Sequence, residues 1–332
     1  MRITALAGGV GGARFLRGLR AHLDSLDGGP HELTVIANTG DDITLSGLRV
    51  CPDVDTLLYT LGGGANEAQG WGRAEETFTV QGELTAYGVG PDWFGLGDKD
   101  FGTHIARNYW RGQGLSYSQI IERLAARWGL PEQHVRLLPM TDEPVETHVI
   151  VDRDGEQEAI HFQHWWVKER AAIPAQRFVV AGLDRANPAP GVLEAIRTAD
   201  LIVLPPSNPV VSIGIVLLVP GVRDALRGTT APVVGVSPIV GGGPVRGHAD
   251  ACLAALDVEV SPQGVASLYA DFLDGWLVAP GEGATAEGAT AEGAGGYPRD
   301  LVVQEAPLLM SSPEAATAMA AATLRLAEAV RR

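Results

Sequence analysis

The sequence predicts an α/β protein of Rossmann-like type, with a mostly parallel sheet carrying helices on both faces and a smaller antiparallel, α+β insertion. Three observations predict it: an apolar run that breaks into glycine and then a helical pattern at the N-terminus, a strand-then-helix rhythm that returns in the second half, and one hairpin pattern between them.

Residues 3–7 are uniformly apolar or small and read as a buried strand. They run into the turn Gly8-Gly-Val-Gly-Gly12 and then a helix whose Phe15, Leu16, Leu19 and Leu23 share one face. A second strand over residues 33–37 ends in the polar loop Asn38-Thr-Gly-Asp-Asp42, and two such strands so close together predict a parallel, doubly wound start. Residues 147–151 and 158–162 read as strands joined by Asp152-Arg-Asp-Gly155, a hairpin turn. Residues 178–181, 201–204 and 233–236 are short apolar runs, each followed by turn residues and a helical stretch, which predicts a return to α/β. Residues 281–296 contain an imperfect Gly-Ala-Thr-Ala-Glu repeat with almost nothing to bury, and are expected to form a mobile surface loop within a single domain spanning residues 1–332. An alanine-rich helix over residues 313–330 closes the chain.

With 45% hydrophobic and 20% charged residues the chain is expected to build a substantial core. No apolar run approaches the roughly 18 to 20 residues that span a bilayer, and the N-terminus turns to glycine too early for a signal peptide, so a cytoplasmic location is expected. The net charge of −15 argues against partnership with nucleic acid or an anionic membrane, which the average surface would repel. An anionic small molecule remains compatible if backbone amides, a few cationic side chains or a carboxylate-held metal ion meet its charge locally. Cys51 and Cys252 lie far apart without zinc-ligand spacing and read as two buried thiols.

Several segments carry residues suited to chemistry. Gly9, Gly11 and Gly12, between a strand and a helix, let backbone amides approach a ligand beside the positive end of the helix. Neither G-x-G-x-x-G nor G-x-x-x-x-G-K-[ST] is present, so an ordinary dinucleotide site or P-loop is not supported, and a purely structural turn is the competing reading. Asp41, Asp42, Asp53 and Asp55 form the richest carboxylate group; they suit a Mg²⁺ ion shared with substrate phosphates, and equally suit helix capping and a solvated turn. Trp93-Phe-Gly-Leu-Gly-Asp-Lys-Asp-Phe-Gly-Thr-His104 mixes aromatic, flexible and charged residues. There Lys99 suits a phosphate or a polar ring edge, Asp98 and Asp100 suit holding it or capping the next helix, and His104 alone reads as a packing residue.

Two loops past strand ends, Pro205-Pro-Ser-Asn-Pro-Val-Val-Ser212 and Ser237-Pro-Ile-Val-Gly-Gly-Gly-Pro244, offer Ser207, Asn208 and Ser237 as short hydrogen-bonding groups and Gly242 in an amide-lined turn. In His161-Phe-Gln-His164-Trp165-Trp166 the two histidines would face opposite sides of a strand, which favours packing over metal binding and leaves the tryptophans to line a flat pocket.

Taken in order, Ala7-Gly-Gly-Val-Gly-Gly-Ala-Arg14, Asn38-Thr-Gly-Asp-Asp42, Cys51-Pro-Asp-Val-Asp-Thr-Leu-Leu-Tyr59, Gly97-Asp-Lys-Asp100, Pro206-Ser-Asn-Pro209 and Ser237-Pro-Ile-Val240 resemble the 2-phospho-L-lactate transferase (CofD) family. Leu137-Leu-Pro-Met-Thr-Asp-Glu143 and His161-Phe-Gln163 extend the resemblance between them, so that it spans nearly the whole chain.

The resemblance implies a transferase of substituted phosphate groups that moves a phosphorylated three-carbon acid from a guanosine diphosphate-linked donor to the ribityl hydroxyl of the deazaflavin Fo. GMP leaves, and the product is the coenzyme F-420 form that precedes glutamate addition. It further implies Mg²⁺, a homodimer, catalytic and metal-binding roles for Asp41 and Asp55, and Asp55, Asp98 and Lys99 near Fo. Gly9, Gly11, Gly12, Ser207, Asn208, Ser237 and Gly242 would meet the nucleotide and its phosphates. The Lys-poor composition and Pro91-Asp-Trp-Phe-Gly-Leu-Gly97 resemble the actinobacterial branch, whose donor derives from phosphoenolpyruvate. The rival is a non-catalytic nucleotide-sugar-binding regulator of the same superfamily, which shares the N-terminal turn.

Overall fold

In chain order the strands of the computed structural model are β1 (Arg2–Ala7), β2 (Glu32–Ala37), β3 (Ile43–Leu45), β4 (Leu48–Val50), β5 (Val135–Pro139), β6 (Glu146–Arg153) and β7 (Glu156–His161). They continue with β8 (Ala175–Ala181), β9 (Leu201–Leu204), β10 (Val233–Val236), β11 (Ile239–Val240), β12 (Gly243–Pro244), β13 (Gly275–Val278) and β14 (Val302–Glu305). The structure describes residues 1–283, 296–298 and 300–330, so the repeat-bearing segment lies largely outside the described residues.

The principal sheet has seven strands in the order β14-β13-β10-β9-β1-β2-β5, every pair parallel. The chain starts in the middle of the sheet, winds outward one way through β2 and β5, then returns to the far side of β1 with β9 and winds outward the other way. This is the doubly wound order, and the crevice between β1 and β9 is its topological switch point, where such sheets bind ligands beyond the carboxyl ends of their strands. β1 pairs from Arg2↔Glu32 to Ala7↔Ala37 on one side and Ile3↔Leu201 to Ala5↔Val203 on the other.

Both faces of the sheet are covered, as an all-parallel sheet requires. Ile3, Ala5 and Ala7 enter one apolar core with Phe15, Leu16 and Leu19 of α1 (Gly9–Asp24) and Leu326 of the C-terminal helix Pro313–Ala329. Leu6, between them in sequence, enters the opposite core with Ile36, Ile202 and Trp165, as period-two alternation dictates. Both cysteines are free and buried.

The antiparallel insertion is a three-stranded sheet, β7-β6-β8, in which β6 and β7 form the expected hairpin with His148 opposite His161. Residues 178–181 correct the sequence reading. They belong to β8, pair antiparallel with β6 and do not open a new parallel unit. Their alternating burial, with every second residue exposed, marks an edge strand with one covered face. No single helix among the described residues is long and apolar enough to cross a membrane.

Candidate functional site

A cavity of about 530 Å³ opens at the switch point. Its floor is the start of α1. The strand β1 ends at Ala7, Gly8 is the N-cap, and the glycines read as a loop already form the first turn of the helix, without any side-chain cap. Helix geometry leaves the first N–H groups without internal partners, and the partial positive charge there favours an anion. Gly9, Val10 and Gly11 line the cavity at this point. Glycine is required at Gly8 and Gly11 by space. A β-carbon on Gly8 would overlap the Asp53 carboxylate and stand 2.8 Å from the Ser212 side chain, and one on Gly11 would overlap the Pro206 carbonyl oxygen. The loop after β9 is tied to the same turn, since the Ser207 hydroxyl donates to Gly8 O at 2.9 Å and accepts from Gly8 N–H at 3.3 Å.

Of the four aspartates, Asp41 and Asp53 share one partner, whereas the resemblance implied Asp41 with Asp55. Asn38, fully buried after β2, donates from Nδ2 to Asp41 at 3.1 Å and to Asp53 at 2.9 Å. Gly9 N–H and the Ser212 hydroxyl also hydrogen-bond to Asp53. Burial pushes the Asp41 carboxyl well above its ordinary range, with repulsion from Asp53 adding to it, and burial raises Asp53 to about 6.

Asp55 lies in the cavity wall but is committed elsewhere. Its Oδ1 is ion-paired to the wholly buried Arg107, and Oδ2 stands 3.7 Å from His104. Asp42 faces Arg49 at 3.7 Å and is raised to about 7, chiefly by burial. Neither Asp53 nor Asp55 is the N-cap of α2 (Pro52–Leu61), a position held by Cys51.

The cavity also has an aromatic lining. Tyr59 of α2, Trp71, Trp93, Phe94, Phe162 and Trp166 line it, with Asp100 and His104. The segment from 93 to 104 is half loop and half helix. After the short helix α3 (Thr79–Ala86), α4 (Asp98–Gly112) starts inside that segment and buries Asp100, Thr103, His104 and Arg107 on one face. Burial lifts the Asp100 carboxyl to about 6, and holds His104 down to about 4. Cations enter at the rim, where Arg14 of α1 donates to Glu67 O at 2.9 Å and Arg246 donates to Gln69 O at 2.6 Å.

Of the residues singled out from sequence, Gly9, Gly11, Asp41, Asp55, Ser207, Asn208 and Ser237 line the cavity. Gly12, Gly242, Asp98 and Lys99 do not. Gly12 packs against Ala7 and Ser207, and Gly242 stands in open space in its turn. Asp98 caps α3, accepting from Thr79 and Val80 N–H at 3.2 and 2.9 Å, while Glu76 caps α4 in return through Lys99 and Asp100 N–H. The Lys99 ammonium donates to Ala74 O at 2.8 Å.

Of the two tryptophans, Trp166 lines the cavity and Trp165 is buried in the core. His164 sits on a helical turn rather than the strand, stacked on Trp93 at 5.4 Å. Sequence reasoning left Arg14 inside a quoted motif without a role and did not reach Arg107, Arg246 or Trp71. The available signal was the spacing of polar residues at 100, 103, 104 and 107, one helix face that is buried rather than solvated.

A doubly wound sheet, a glycine-rich helix start at its switch point and a cavity lined by both arginines and aromatic rings are the features of an α/β enzyme that handles a phosphorylated substrate. The comparisons with known proteins name the family. A profile of the 2-phospho-L-lactate transferase CofD family matches residues 3–305. Proteins called phosphoenolpyruvate transferase are 56% identical in Thermobifida fusca, over 98% of both chains, and 56% identical in Streptomyces griseus, over the full length of both. A third, from Mycolicibacterium smegmatis, is 49% identical over 98% of this chain and 99% of its own.

Two crystal structures of a UPF0052-family protein from Bacillus halodurans share the fold. Their TM-scores are 0.54 and 0.53, at 20% identity, covering 86% of this chain and 81% of theirs. The chain belongs to the 2-phospho-L-lactate transferase CofD family of coenzyme F-420 biosynthesis and is a transferase of substituted phosphate groups.

Proposed function

We propose that this chain transfers a phosphoenolpyruvyl group from a guanosine diphosphate-linked donor to the ribityl hydroxyl of Fo, releasing GMP and giving dehydro coenzyme F-420-0. The observation that carries the reading is one cavity lined both by the α1 N-terminus with Arg14 and Arg246 and by the aromatic side chains Tyr59, Trp93 and Phe94. The first set of groups suits a nucleoside diphosphate, and the second suits a flat heteroaromatic ring. The name shared by the actinobacterial relatives favours the phosphoenolpyruvyl over the 2-phospho-L-lactyl donor.

In the reaction the ribityl oxygen forms a bond to the phosphorus that bears the three-carbon acid, the anhydride bond to GMP breaks, and the hydroxyl proton passes to solvent. Such a transfer needs alignment and charge neutralisation more than a strong nucleophile. The N–H groups in the first turn of α1 after Gly9 and the two arginines hold the phosphates. The aromatic wall orients the ring so that the ribityl chain reaches toward the floor.

Asp41 and Asp53 line the same cavity, and their chemistry fits Mg²⁺. Two buried carboxylates are gathered on one amide, and no group of three His, Cys, Asp or Glu among the described residues forms a complete protein cage. Mg²⁺ held there would neutralise the charge of the leaving phosphate. The geometry therefore favours Asp53 over Asp55 as the partner of Asp41. The homodimer implied by the resemblance belongs to the same reading, and the mass of the protein in solution checks it.

The test is direct. The purified protein, given Mg²⁺, Fo and the enolpyruvyl guanosine donor, should release one GMP for each Fo consumed. Release of GMP without loss of Fo would make it a hydrolase, and retention of both substrates would favour a binding protein.

A further inference from the structure

His104 carries an assignment that the transfer reaction does not use. Arg107 Nη1 lies 3.0 Å from His104 Nδ1. A guanidinium offers only N–H donors and keeps its charge, so Nδ1 must be the acceptor. The imidazole is therefore neutral, with its proton on Nε2. Arg107 cannot turn away to relax this. It is 1% exposed, ion-paired through Nη2 to Asp55, and its Nη1 also donates to Arg49 O at 3.1 Å. The ring is held in one orientation and one tautomer. His104 is itself 2% exposed, its Nε2 has no partner among the described residues, and the ring forms part of the cavity wall with Tyr59, Trp93 and Phe94. A buried N–H without an acceptor is unfavourable, and in a binding cavity the ligand is the group that can supply one.

We propose that His104 is a specificity-determining residue whose Nε2–H donates to a carbonyl oxygen or ring nitrogen on the flat heteroaromatic substrate held by the aromatic wall. The inference rests on the reading above, in which that substrate is Fo, whose deazaflavin ring carries such acceptors. His104 is not a general base in this arrangement, because the nitrogen left for a ligand already bears the proton. Arg107 and Asp55 act through it as positioning residues.

Two conservative variants separate this role from packing. H104Q keeps an N–H donor near the place of Nε2 and loses the acceptor for Arg107, whereas H104N keeps an acceptor near Nδ1 and loses the donor. Fo binding is read from its fluorescence on titration, and GDP binding is measured in parallel as a check of the folded donor site. In H104N, Fo affinity should fall about tenfold with GDP affinity unchanged, and H104Q should stay within about threefold of wild type. The reverse order, with H104N near wild type and H104Q impaired, would show that His104 serves only to hold Arg107 and would overturn the proposal. Equal Fo affinities in all three proteins would overturn it as well. Failure of the wild type to bind Fo would remove the acceptor reading, and this inference with it.

Discussion

Asp41 and Asp53, twelve residues apart and on different elements, are held by the same Asn38 amide nitrogen, at 3.1 and 2.9 Å. Burial raises the proton affinity of both carboxylates, and under the proposed function a cation would hold them ionised. Asp41→Asn and Asp53→Asn should each lower Mg²⁺-dependent transfer about 100-fold or more, with the far-ultraviolet spectrum unchanged. Asp42→Asn should cost far less. A D53N protein with wild-type turnover would remove Asp53 from the site.

The pairing of the aspartates was not legible in the sequence, and the reason is geometric. Asp53 and Asp55 are two residues apart on a helix, so their side chains diverge by roughly 200° around its axis. One therefore faces Asn38 and the other Arg107, and only the direction of α2 decides which. The strands of the principal sheet near the N-terminus were legible because residues 3–7 and 33–37 are apolar but for Thr4 and Thr34, as a sheet covered on both faces requires. β8 was not, because its own apolar residues do not say which strand lies beside it. The aromatic wall was half legible, in the composition of residues 93–104, and half hidden, in a helix start within what read as a loop.

Gly11→Ala should damage the donor site without touching any charged group. Its β-carbon would overlap the Pro206 carbonyl oxygen, and backbone cannot move aside as a side chain can. A loss of stability of about 1–3 kcal/mol is expected from overpacking. Titration should show weaker binding of GDP, with Fo affinity preserved.

Arg14→Gln and Arg246→Gln should each weaken GDP binding about tenfold, since a hydrogen-bonded charge pair is lost in each case. The affinity of wild type should fall as salt is raised, and each variant should show a shallower salt dependence. Fo affinity should remain unchanged in both. Loss of Fo binding with retained GDP binding would reverse the orientation assigned to the cavity.

Asp100 gives a pH signature. Its folded value of about 6 lies above the ordinary carboxylate value, chiefly through burial, so between about pH 4 and 6 the folded protein keeps a proton that the unfolded chain has lost. The stability this contributes is full below pH 4 and is lost as pH rises through 6. Asp100→Asn should therefore raise the melting temperature relative to wild type more at pH 7.5 than at pH 4.5. A difference that is constant across that range would show that Asp100 does not titrate there.

The most direct test of the transferase reading is the mass of the product formed when both guanosine donors, the phosphoenolpyruvyl and the 2-phospho-L-lactyl form, compete for Fo in one vessel with Mg²⁺. The two groups differ by two hydrogens and a planar against a tetrahedral carbon, a difference that a pocket of this kind separates by about 1–3 kcal/mol. The expected result is a majority of the product lighter by two hydrogens, formed with equimolar GMP. A majority of the saturated product would contradict the choice of donor, and the absence of any ribityl-linked product would contradict the transfer itself.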